Sequence, residues 1–101
     1  MVWAEMYSLD IKPEADKIFK KLAKKDPRQL KIIGKKIAEI RQNPFHRYKP
    51  LKKPLHSFNR VHIDTHFVLI FKISHTDKLL DIYYFDHHDN VYQWRPIKKE
   101  P

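Results

Sequence analysis

Three prolines divide the first half of this 101-residue chain into two helical segments with almost nothing between them. A helical hairpin that tight constrains the fold more than any other feature. Pro13 stands where the first turn of a helix tolerates proline, because the missing N–H would be unpaired there in any case. Glu14 and Asp16 suit the positive end of the helix dipole, Lys24 and Lys25 its negative end, and Ala15, Ile18, Phe19 and Leu22 recur at helical spacing. Asp26-Pro27 is a fresh cap-and-proline start. Leu30, Ile33, Ile37 and Ile40 then run through a second helix that ends near Gln42, where Asn43-Pro44 breaks it.

Two short amphipathic helices must bury their apolar stripes against another layer, and the rest of the chain supplies a sheet. Glu5 to Ile11 alternates as a first strand. Asn59 to Ile63, His66 to Ser74 and Lys78 to Phe85 are strand-like runs joined by hairpin-sized connections. The prolines and basic residues from Pro44 to Ser57 favour an extended loop. The expected fold class is therefore α+β: an N-terminal strand, a helical hairpin, then antiparallel strands forming a small twisted sheet packed on the helices. A single domain over residues 1–94 is expected, followed by a basic, flexible tail over 95–101, with Trp3 and Trp94 packing at sheet edges.

Alternation along the strands decides which side chains can converge. Arg60, His62 and Asp64 share one face; Val61 and Ile63 share the other and are expected to meet the helices. The run from Phe67 to Phe71 is apolar on both parities, so its face away from the helices needs a cover of its own or forms an apolar floor. In the last strand, Asp81, Tyr83 and Phe85 oppose Leu80, Ile82 and Tyr84, and alternation alone leaves open which set is inward.

The net charge of +9 is unevenly placed. From Lys12 to Lys53 there are fifteen Lys/Arg against four Asp/Glu, whereas from Arg60 to Trp94 there are three against five. The helical half is a polycation, and it predicts salt-sensitive attraction to nucleic acid or the ribosome, a solvated lysine-rich surface being the plain alternative. No cysteine is present, which suits a reducing compartment, and no apolar run is long enough to span a bilayer. A cytoplasmic location without membrane contact is the default.

All seven histidines follow residue 45, and four of them lie in Arg60-Val-His62-Ile-Asp64-Thr-His66 and Phe85-Asp86-His87-His88-Asp89-Asn-Val-Tyr92. Imidazoles beside arginine and tyrosine at strand ends point to a polar, cationic site. The order of elements, the segment from Arg60 to Phe71 and the ending His88-x-x-x-Tyr92 resemble the RelE/ParE superfamily of toxins, particularly the RelE and YafQ-like ribosome-dependent RNases. The resemblance covers about residues 5 to 94.

That resemblance implies the toxin of a type II toxin–antitoxin system, a metal-independent endoribonuclease that cleaves messenger RNA in the ribosomal A site through attack of the 2'-hydroxyl on the adjacent phosphate. No cofactor is implied, and the expected partners are mRNA on the ribosome, rRNA against the basic helices, and a cognate antitoxin. On it His62 and His88 are the acid/base candidates, Arg60 holds the phosphate, and Tyr92 stacks on or positions a base. Lys52, Lys53 and His56 are candidates for RNA and phosphate binding. His66 falls where YafQ-like relatives carry an acidic group, which leaves its role open. His87 and His88 must point differently, one of them as a turn or capping residue. The alternative is a non-catalytic member that inhibits by binding ribosome, nucleic acid or gyrase. A metal site from His62-x-x-x-His66 with His87 or His88 is a sharper rival, but no His-Glu-x-x-His signature or cysteine pair supports it, and no metal is expected.

Overall fold

The computed structural model describes residues 6–97. The elements run β1 (Ser8–Ile11), α1 (Pro13–Lys25), α2 (Pro27–Gln42), β2 (Lys49–Pro50), β3 (Asn59–Ile63), β4 (Phe67–Ser74), β5 (Leu79–His87) and α3 (His88–Val91). Both long helices begin on their prolines. Asp26 is the whole linker: its amide donates back to the Leu22 carbonyl of α1, and its carboxylate accepts from the Gln29 amide of α2 at 3.1 Å. The end of α2 is tied to the start of β1, because the Tyr7 amide donates to the Arg41 carbonyl while Arg41 Nε donates to the Tyr7 carbonyl at 2.7 Å.

The sheet has the order β1-β5-β4-β3-β2. Strands β2 to β5 are antiparallel neighbours, whereas β1 lies parallel to β5, with Leu9 opposite Leu80 and Ile11 opposite Ile82. The hairpin between β1 and the later strands is thus the crossover that a parallel pair requires. Both helices cover one sheet face, where Ala15, Phe19, Ile33, Ile37 and Ile40 meet Ile63, Leu69, Phe71, Leu80, Ile82 and Phe85. Val61 packs against the same cluster, as its parity predicts.

A second core covers the other face. Leu51, Phe58, Val68, Ile70, Val91 and Trp94 are all buried there, with Tyr83 and Tyr84 packed against them. The two-sided apolar character of β4 is explained by these two layers. Trp94 is not the edge residue expected from the sequence but the centre of this second core: it is 7% exposed, lies edge-on to Phe58, stacks on Tyr84, and donates its indole N–H to Glu14 at 3.0 Å. Trp3 and Glu5, and the tail from residue 98, lie outside the described residues.

The parity left open in β5 has a physical answer. Ile70 faces Tyr84 while the next residue, Phe71, faces Ile82, so Tyr83 is an extra residue in the ladder. This bulge inverts the alternation, and Leu80 and Ile82 before it share the helix side with Phe85 after it.

The single glycine lies inside α2. Gly34 is exposed, and a Cβ built on it meets no atom within 4 Å. Replacing Gly34 with alanine therefore removes backbone freedom from the unfolded chain at no steric cost and is expected to stabilise the fold by about 0.5–1 kcal/mol. Thermal denaturation followed by circular dichroism checks it, and a midpoint that does not rise contradicts a helical, solvent-facing Gly34.

Candidate active site

The cationic part of the site is built on the sheet face away from the helices, at the end where α3 folds back. Arg60 and His62 project from β3 on that face, their pairing partners Ile70 and Val68 forming part of the second core. Because β3 reverses into β4 through Asp64, Thr65 and His66, and because Phe67 pairs with His87, the turn carrying His66 lies beside the junction of β5 and α3. Asp64 takes φ 58°, a left-handed conformation that a short polar side chain tolerates.

One focus is a cavity of about 490 Å³. Leu51, Val91 and Trp94 give it an apolar floor, while Lys52, Lys53, Arg60 and Arg95 give it a cationic rim with Tyr92 at the mouth. The Arg60 guanidinium lies 5.9 Å from the Tyr92 ring centroid, and Tyr92 is 49% exposed. An exposed aromatic face with a cation above it is a surface on which a flat, electron-rich group can stack. Arg95 donates to the carbonyls of Tyr92 and Trp94, which folds the chain after α3 against the cavity. Arg95 is the residue that reading the sequence missed, because a basic residue after the last strand looks like solvated tail.

The other focus is imidazole. The rings of His87 and His88 have centroids 4.6 Å apart, and the His66 ring lies 5.8 Å from His87 and 5.9 Å from His88. The His88 amide donates to the His66 carbonyl at 2.8 Å, which locks the β3–β4 turn to the start of α3. His87 is the capping member of the adjacent pair: its Nδ1 accepts from the Asp89 amide at 3.1 Å. Asp89 carries its carboxylate 3.0 Å from His88 Nδ1, an arrangement that favours the proton on that nitrogen and leaves Nε2 with the lone pair.

The two foci are joined by α3. His88 opens this four-residue helix and Tyr92 closes it, so the His88 and Tyr92 backbones are separated by only about 6 Å of helical rise. His62 lies on the same strand face as Arg60, two residues nearer the turn that carries His66, and it is exposed. Arg60 and His62 share the face of the second core with Tyr92 near Arg60, while His66 and His88 stand at the same end of the sheet, in the β3–β4 turn and at the start of α3. Lys52 and Lys53 join them at the cavity rim, but His56, exposed in the same loop, is not among the lining residues. His46 packs edge-on to Tyr48, and His75 accepts from or donates to the Tyr7 hydroxyl at 2.9 Å while stacking on Phe45, both away from the cavity.

Beneath the imidazoles, Tyr84 donates to Asp86 at 2.8 Å, and the other Asp86 oxygen accepts from the His87 amide. Burial first, then the hydrogen bond and the charge of Asp86, push the Tyr84 phenol up to about 12. A phenol whose folded value exceeds its ordinary one adds stability that is fully present below about pH 10 and is lost as pH rises through about 12. Tyr84→Phe is accordingly expected to remove the last tyrosine to ionise and to flatten the dependence of stability on pH in that alkaline window. Tyrosinate absorbance recorded beside circular dichroism tests this, and an unchanged final step would show that Tyr84 is not the protected phenol.

A five-stranded sheet backed on one face by a helical hairpin is the α+β fold of RelE-like toxins. The chain is 48% identical over 95 residues to a Methanocaldococcus jannaschii protein named "Putative toxin RelE4", covering 94% of this chain and all of that one. It belongs to the RelE family of toxins. No protein-family model matches it. Among solved structures it shares its fold with the RelBE2 toxin–antitoxin complex of Mycobacterium tuberculosis (TM-score 0.69, 20% identity, 82% of this chain and 92% of that one). A metal-bound toxin from Helicobacter pylori is similar in the same way (TM-score 0.72, 22% identity, 85% and 99%). At those identities the likeness shows the fold alone. No helix of the described residues is long and apolar enough to cross a membrane.

Proposed function

We propose that this toxin inhibits translation as a ribosome-dependent endoribonuclease, cutting messenger RNA in the A site. The observation that carries the proposal is the Arg60 guanidinium over the exposed Tyr92 ring at the mouth of a lysine- and arginine-rimmed cavity, with His88 on the same short helix. Tyr92 offers a stacking platform for an unpaired base, and Arg60 with Lys52 and Lys53 offers fixed cations for the adjoining phosphate. Cleavage requires a base to take the 2'-hydroxyl proton, attack of that oxygen on phosphorus, and an acid to protonate the departing 5'-oxygen. His62, His66 and His88 supply the imidazoles, and Arg60 stabilises the extra negative charge on the phosphate as it forms. Lys17, Lys20, Lys21, Lys24, Lys31 and Lys35 are exposed along α1 and α2 and suit rRNA, whose phosphates would hold the toxin on the ribosome.

The natural silencing partner is an antitoxin protein whose segment covers the cationic cavity; a cognate antitoxin is supported by the RelBE2 toxin of the same fold having been solved as a toxin–antitoxin complex. A cytoplasmic location follows from a substrate on translating ribosomes. The test is primer extension on a message translated in a cell-free system. Cuts within the A site that appear only with ribosomes present are expected. Intact message with unimpaired translation overturns the proposal, and intact message with blocked translation replaces it by inhibition through binding alone.

A further inference from the structure

We infer that His66, His87 and His88 form a site for a divalent transition metal of the zinc class, and that its occupancy silences the toxin. The binding half stands on geometry alone; the silencing half rests on the ribonuclease proposal above.

Each of the three histidines offers a ring nitrogen, and these atoms all lie within 4.8 Å of one another. Tetrahedral zinc with bonds of about 2.0–2.1 Å holds its nitrogen donors about 3.4 Å apart, so modest side-chain rotation closes the set. The backbone under it is already fixed, by the His88 amide on the His66 carbonyl and by the pairing of Phe67 with His87. Neutral imidazole selects zinc, nickel or copper over magnesium or calcium. Asp89 supplies the outer partner that a metal-bound histidine needs, its carboxylate 3.0 Å from His88 Nδ1. His66 is exposed and leaves a route in. The converging trio is not the one the sequence suggested: His87 and His88 both take part, and His62 does not. A metal on these nitrogens occupies the lone pairs of His66 and His88, which then cannot accept or relay a proton.

The experiment titrates the full chain with zinc chloride by calorimetry, with cleavage measured in parallel in chelator and in added zinc. One zinc per chain is expected, weakened at least tenfold in His66→Ala and in His87→Asn, and unchanged in His46→Ala. The asparagine at position 87 retains a side chain able to cap α3 while removing the imidazole. His87→Asn should cleave normally in chelator and resist zinc concentrations that stop the wild type. Equal affinity in wild type and His87→Asn overturns the site. Full cleavage at saturating zinc, or activation by it, overturns the silencing. Zinc binding to the trio by a protein that cleaves nothing in chelator upholds the site and removes the ribonuclease proposal instead.

Discussion

Truncating Trp94 to alanine is expected to cost about 3–5 kcal/mol of folding stability, the largest effect of any single side chain on the sheet face that carries the site. Trp94 is nearly fully buried and touches Phe58, Tyr83 and Tyr84, so its removal leaves a void under the apolar floor of the cavity. It also strands the Glu14 carboxylate that now accepts the indole N–H. A chain of this size has a total stability of roughly 5–15 kcal/mol, and each kcal/mol moves its midpoint by about 4–8 °C. The midpoint of Trp94→Ala should therefore fall by on the order of 20 °C. Trp94→Phe keeps the aromatic packing but not the hydrogen bond, and it should fall by about a third as much. Denaturant unfolding measures both. A loss below about 1 kcal/mol for the alanine variant would show that the second core is not organised around this residue.

The contrast between Trp94 and the helices shows what the chain reveals before it folds. Pro13, Asp26-Pro27 and Asn43-Pro44 act through the backbone within a few residues, and α1 and α2 begin and end on them. Arg60 and His62 could likewise be separated from Val61 and Ile63, because β3 pairs with β4 in one unshifted register from end to end. In β5 the same logic fails, since one extra residue at Tyr83 reverses it, and no local signal announces the bulge. The parallel pairing of β1 with β5 joins the start of the chain to its last strand and is invisible to periodicity for the same reason. The burial of Trp94 and the placement of Arg95 depend on the chain after α3 folding back over the sheet, which composition alone gives no reason to expect. Within the site, the pattern His88-x-x-x-Tyr92 was legible through a resemblance, whereas the convergence of His66 with His87 and His88 needed the register of β4 against β5.

Arg60→Ala and His88→Ala are each expected to reduce A-site cleavage by about a hundredfold or more while leaving the fold intact. Removing one fixed donor to developing charge typically costs about 10²–10³ in rate, and removing an acid or base about 10²–10⁴. Neither side chain is part of the two buried clusters, so thermal midpoints should stay near that of the wild type. Arg60→Lys separates two roles: it retains the charge but not the planar fork, and recovery of only part of the rate would mean that the guanidinium's geometry matters as well as its sign. Lys52→Ala and Lys53→Ala should instead weaken binding and lower the slope of affinity against salt, with less effect on the bound-state rate. The double variant Arg60→Ala/His88→Ala then decides whether the two foci form one site. If guanidinium and imidazole act in the same transition state, the joint loss is smaller than the product of the single losses, because groups that act as a unit are strongly non-additive. Single-turnover rates on programmed ribosomes give these numbers. Wild-type rates in both well-folded single variants would place the chemistry on some other part of the toxin's surface.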